Sequence, residues 1–75
     1  RGPARSPADV MTALREAAAN GAEVWISYLD NHGTSTERIV RPREVGGGQL
    51  TAYDERSDEV RTFGVHRINE VRLPD

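Results

Sequence analysis

The stretch Glu23-Val24-Trp25-Ile26-Ser27-Tyr28-Leu29 decides the fold, because here the apolar residues change from helical spacing to a period of two. Val24, Ile26 and Tyr28 fall on one face and Trp25, Ser27 and Leu29 on the other. β-Branched and aromatic residues dominate, as a pleated, half-buried strand requires. Asp30-Asn31-His32-Gly33 then supplies residue types that tolerate the positive φ of a tight turn. Thr34-Ser35-Thr36-Glu37-Arg38-Ile39-Val40-Arg41 resumes the extended pattern, which makes a hairpin. Pro42 has no N–H to give to a ladder, so a break, bulge or edge is expected there, ahead of a short extended piece over residues 43–46.

Upstream, Ser6-Pro7-Ala8-Asp9 is a helix start: a serine cap, a proline at the first helical position and an acid in the first turn. Val10, Met11, Leu14, Ala17 and Ala18 follow at helical spacing, and Asn20-Gly21 is a stop, which predicts an amphipathic helix over residues 7–20. Residues 1–5 show no periodicity and are expected to be a disordered linker. Downstream, Gly46-Gly47-Gly48 is a hairpin tip rather than a phosphate cradle, since no lysine and no helix follow it. Further strands are expected at about 49–54, 60–65 and 69–73, after the first at 23–29 and the second at 34–41, with the 43–46 piece either separate or continuous with its neighbour. The acidic run Asp54 to Glu59 reads as a solvated turn, because it lacks the ligand alternation of a calcium loop. One helix followed by short strands with tight turns predicts a mainly β domain over residues 6–75, a five-stranded antiparallel sheet curled almost to closure. The helix would plug an open end or cover one face.

Seventy-five residues with 36% apolar content and no cysteine provide one modest core held by packing alone. No apolar run approaches the roughly 20 residues of a membrane-spanning helix, and no amino-terminal signal segment is present, so a cytoplasmic protein with no membrane partner is expected. The start at Arg1-Gly2-Pro3, without methionine, suggests an excised fragment. His32 and His66 belong to no metal-ligand or nucleophile spacing, and there is no nucleophile elbow or phosphate loop, so neither enzyme activity, nor a metal, nor a cofactor is expected. Trp25, the one tryptophan, reads as core or helix packing rather than a base-stacking platform.

Every one of the ten basic residues is arginine, against twelve acids, for a net charge of −2. A globally basic nucleic-acid binder is excluded, but a local patch is not. Arg38, Arg41 and Arg43 lie within six residues, and a meander brings Arg61 and Arg67 toward them. If Phe63 and Val65 point inward, Arg61 shares their face and sits at the barrel rim, where it needs a partner or an anionic ligand; if Val60 and Thr62 do, it is an ordinary surface residue. The bland alternative pairs these arginines with Glu37, Glu44, Asp58 and Glu59 on the surface.

The succession Val24-Trp25-Ile26-Ser27-Tyr28, Arg38-Ile39-Val40-Arg41-Pro42, Leu50-Thr51-Ala52-Tyr53, Val60-Arg61-Thr62-Phe63 and His66-Arg67-Ile68 resembles the WYL domain across about residues 10–73. Tyr28-Leu29-Asp30-Asn31-His32-Gly33 is similar to the form attached to actinobacterial helicase-associated proteins. The resemblance implies an Sm-like, SH3-type five-stranded barrel with an amino-terminal helix. It also implies a sensor or nucleic-acid-binding module of bacterial transcription regulators and DNA-processing proteins. Arg38, Arg61 and Arg67 match the family's basic ligand contacts, with Arg41 and Arg43 steering phosphates. The implied partner is single-stranded DNA or RNA, or a nucleotide signal. A module that only docks on the other domains of its parent protein is the alternative. The Trp-Tyr-Leu triplet that names the family falls at Gly48-Gln49-Leu50, so its two aromatics are absent.

Overall fold

The computed structural model describes residues 2–74. Helix α1 spans Pro7–Asn20. Its cap is the expected one: the Ser6 hydroxyl accepts the Asp9 N–H at 3.1 Å, with Pro7 opening the first turn. At its end Gly21 takes φ +62, a left-handed conformation that lets Gly21 and Ala22 both donate to the Ala17 carbonyl. Val10, Leu14 and Ala17 are its buried stripe.

Five antiparallel strands follow: β1 (Val24–Leu29), β2 (Ser35–Gly46), β3 (Gln49–Asp54), β4 (Glu59–Gly64) and β5 (Ile68–Arg72), in the order β4-β3-β2-β1-β5. β2 is the spine. Its first half pairs with β1, from Leu29 opposite Ser35 to Val24 opposite Val40, and its second half pairs with β3, from Val40 opposite Asp54 to Gly46 opposite Gln49. The expected segments at 34–41 and 43–46 are therefore one strand. Pro42 is accommodated because the register shifts between Pro42 and Glu44, leaving Arg43 as the extra residue of a bulge where the missing N–H breaks no regular ladder. The fourth strand ends at Gly64 rather than residue 65, since Val65–Arg67 form a 3-10 turn, and the last strand begins one residue early, at Ile68.

The sheet curls strongly. The rings of Tyr28 on β1 and Phe63 on β4 meet edge to face at 5.1 Å, although β3 and β2 lie between them in the order. In a flat sheet three strand spacings would separate them by roughly 14 Å. The concave face of this curl holds Val24, Ile26, Val40, Leu50, Ala52, Phe63, Ile68 and Val71, and α1 packs its stripe against them to complete one core.

Two expectations fail here. Trp25 is not in the core: it pairs with Arg72 on the outer face, with the Arg72 guanidinium carbon 3.9 Å from its ring centroid. The helix covers the face carrying Val24 and Ile26, so alternation leaves Trp25 outside, where the cation–π contact contributes about 0.5–1 kcal/mol. Of residues 1–5, expected to lack order, Arg1 lies outside the described residues and Ala4 is paired: it exchanges two backbone hydrogen bonds with Val71, at 2.8 and 2.9 Å, and covers part of the β5 edge. Among the described residues no helix is long and apolar enough to cross a membrane.

Candidate functional site

Each arginine is placed by strand parity. Arg38 stands opposite Ile26, and because Ile26 faces the core, Arg38 also points inward. Its Nη1 donates to Asp54 Oδ2 at 2.5 Å, in a pair whose side chains are 17% and 0% exposed. The other Asp54 oxygen accepts the Arg56 N–H at 3.0 Å. An isolated carboxylate at this depth would carry a penalty of several kcal/mol, which the guanidinium and the backbone N–H offset. The Arg38 guanidinium carbon also lies 5.9 Å from the Phe63 ring centroid, while its Nε is buried with no hydrogen-bond partner.

Arg61 stands opposite the buried Ala52, two residues before the buried Phe63, and so belongs to the concave face. Of the two arrangements open from the sequence, the one with Phe63 inward is realised. Being near the end of an edge strand, Arg61 is exposed, and it makes no ion pair with another described residue. Arg67 ends the 3-10 turn and donates through Nη1 to the carbonyls of Leu29 at 3.4 Å and Asp30 at 3.1 Å. This ties the turn to the β1–β2 loop. There Asp30 accepts the N–H groups of His32 and Thr34, at 2.8 and 2.9 Å. The Thr34 bond holds the Asp30 carboxyl below the usual aspartate range against the opposing effect of burial, with smaller help from the His32 N–H and the nearby Arg67 charge.

Arg38 and Arg61 thus share the concave face that carries Phe63, with the Arg38 guanidinium carbon near its ring, while Arg67 reaches the carbonyls of the two residues that follow Tyr28. Arg41 and Arg43 do not join them. Arg41 is three residues from Arg38 along the strand, hence on the opposite face beside Tyr53, where Nη2 reaches Glu23 at 3.3 Å. Arg43 is the exposed bulge residue. Of the five arginines expected to form one patch, Arg38 and Arg61 share the concave face, Arg67 is tied to the β1–β2 loop, Arg41 lies on the opposite face and Arg43 at the bulge. Asp54, read as part of a solvated acidic turn, was missed. Its signal was the alternation Leu50, Ala52, Asp54 along β3, which puts all three on the buried face. The rest of that turn is exposed or half-buried; Asp58 adopts φ +57 and accepts a hydrogen bond from the Tyr53 hydroxyl, which raises the Tyr53 pKa.

A family model for the WYL domain matches residues 9–73. The chain belongs to the WYL domain family. Among solved structures, this WYL domain is similar to part of proteasome accessory factor B/C (PafBC) of Arthrobacter aurescens, with a TM-score of 0.76 and 22% sequence identity. The likeness covers 88% of this chain and 11% of that one, so the chain corresponds to a small part of the larger protein, and the likeness is one of fold. No curated protein matches the chain. The family's name-giving triplet maps to the β2–β3 turn: Gly47 and Gly48 form a two-residue loop at φ +60 and +75, and only Leu50 is in the core. A tryptophan at position 48 would be strained in that backbone. The substitution of both aromatics leaves Arg38, Arg61 and Arg67 on their own strand and turn segments.

Proposed function

We propose that this WYL domain is a non-catalytic accessory module that binds single-stranded nucleic acid, or a nucleotide signal, at the rim formed by Arg38, Arg61 and Arg67. What supports this is that Arg38 and Arg61, remote in sequence, share the concave face beside Phe63, with Arg67 anchored to the carbonyls just after Tyr28. Arg61 is the residue that meets the ligand first. It is exposed and free of any ion pair with the described residues, and its planar fork suits a phosphate. Tyr28 and Phe63 do not serve as a stacking platform, since Phe63 is 3% exposed and they pack on each other. In a larger transcription-regulating or DNA-processing protein of the bacterial cytoplasm, such a module would report ligand occupancy to its neighbours. Fluorescence anisotropy with a labelled oligothymidylate tests the assignment. Arg61→Ala is expected to weaken binding by about tenfold, the scale of one charge-assisted contact. Unchanged affinity and salt dependence would remove Arg61 from the site.

A second reading is favoured by a specific observation. Arg38 is neutralised by Asp54, Arg41 by Glu23, and Arg67 is engaged by backbone carbonyls, while an apolar groove of about 460 Å³ runs beside α1 and β5, lined by Pro3, Ala13, Ala17, Val24, Val71 and Leu73. On that reading the domain docks onto other domains of a helicase-associated protein and binds no ligand. Silence in the oligonucleotide titration, with binding lost to a neighbouring domain on Ala13→Glu, would establish it.

A further inference from the structure

Asp54 is the one fully buried carboxylate among the described residues, and its surroundings say more than that it is paired. It ends β3 on the concave face, opposite Val40 on one side and Glu59 on the other. Oδ2 accepts from Arg38, Oδ1 accepts from the Arg56 N–H, and its backbone carbonyl accepts the Asp58 N–H at 2.8 Å. Rotating the carboxylate would break its bonds to Arg38 and to the Arg56 N–H. Arg38, by contrast, is held at Nη1 while its Nε–H is buried without a partner. A pair retained for stability alone would be expected to satisfy that donor, since an unmet buried N–H is destabilising.

We propose that Asp54 is a positioning residue for Arg38. A guanidinium is rigid and planar, so fixing one Nη fixes the direction of every other donor. Asp54 holds the plane beside Phe63 and leaves the rest of the fork for an anionic group of the ligand. It also takes the charge of Arg38 into a neutral pair, so that recognition at this point depends on the direction of the donors more than on net attraction. This role rests on the nucleic-acid-binding function proposed above.

The experiment is a double-mutant cycle read by anisotropy with a fluorescein-labelled oligothymidylate: wild type, Asp54→Asn, Arg38→Met and the double variant. Asp54→Asn is expected to weaken binding by about tenfold, and the double variant to bind no more weakly than Arg38→Met alone. The arginine Nε–H resonances give a second readout that a purely structural role would not move. The Arg38 signal should shift on adding the oligonucleotide to wild type and lose that response in Asp54→Asn. If Asp54→Asn fails to fold, Arg38→Lys carries the test, because it keeps a positive charge beside Asp54 but removes the fork; its affinity should fall to that of Arg38→Met. Wild-type affinity in Asp54→Asn or Arg38→Lys, or an Asp54 effect that persists without Arg38, would overturn the positioning role while leaving the binding function intact. Absence of binding by wild type would overturn both.

Discussion

Arg38 and Arg41 lie three residues apart on one strand, and the structure assigns them opposite energetic roles, so removing each in turn tests the packing argument. Arg38→Met leaves the apolar stem in place but strips the cation from a carboxylate that is wholly buried. Breaking a buried pair by deleting one partner costs about 3–5 kcal/mol. For a domain of this length the whole stability is roughly 4–11 kcal/mol, so the loss is a large share of it. Each kcal/mol moves the melting temperature of such a domain by roughly 4–8 °C, which places the expected drop at about 12 °C or more. Arg41→Ala breaks a pair whose side chains are 51% and 32% exposed, and solvent screening limits its contribution to about 0–1 kcal/mol. Thermal and urea unfolding followed by circular dichroism measure both. The double variant Arg38→Met with Asp54→Leu should recover most of the loss, because it removes the stranded charge. Equal losses for the two single arginine variants, or a loss below about 1 kcal/mol for Arg38→Met, would refute the assignment of Arg38 to the inner face.

Salt dependence separates a neutralised site from an open one. With Arg38 charge-paired, at most Arg61 and Arg67 displace counterions, so log K against log salt should have a slope of about −1.4, from roughly −0.7 per phosphate of a single strand; a slope of about −3 or steeper would mean that Arg41 and Arg43 also contact the ligand. Tyr53 should ionise above the ordinary tyrosine range, because its hydroxyl donates to Asp58, with burial a smaller cause. Its folded pKa being raised, the stabilisation is complete below the unfolded pKa and is lost as the pH rises through the folded one. In a Tyr28→Phe background, absorbance at the tyrosinate band reports Tyr53 alone, and Asp58→Asn should lower its midpoint; an unchanged midpoint would contradict the bond.

Much of the architecture was legible because it depends on neighbours within a few residues. Ser6 and Pro7 open a helix, Gly21 closes it, and the alternation beginning at Val24 makes a strand whatever the rest of the chain does. The bulge at Arg43 follows from the missing N–H of Pro42. Family membership was legible for the same reason, since the ordered motifs from Val24 to Ile68 lie within the matched residues 9–73.

Alternation alone states that a strand has two faces and leaves open which one is buried. That was decided when α1 closed the core that holds Val24 and Ile26, and the consequences spread across the sheet: Trp25 went outside, Arg38 went inside, and Arg41 was separated from it. The partners that define the site are distant in sequence. Arg38 meets Asp54 across 16 residues, and Arg67 meets Asp30 across 37. Nearby charges made Asp54 look like one acid of a solvated turn; the curl of the sheet closed over it and turned an ordinary aspartate into the anchor of Arg38 beside Phe63. Local sequence sets backbone conformation through sterics and hydrogen bonds within a few residues, whereas burial and charge pairing are set by closure of the sheet, which needs every strand in place.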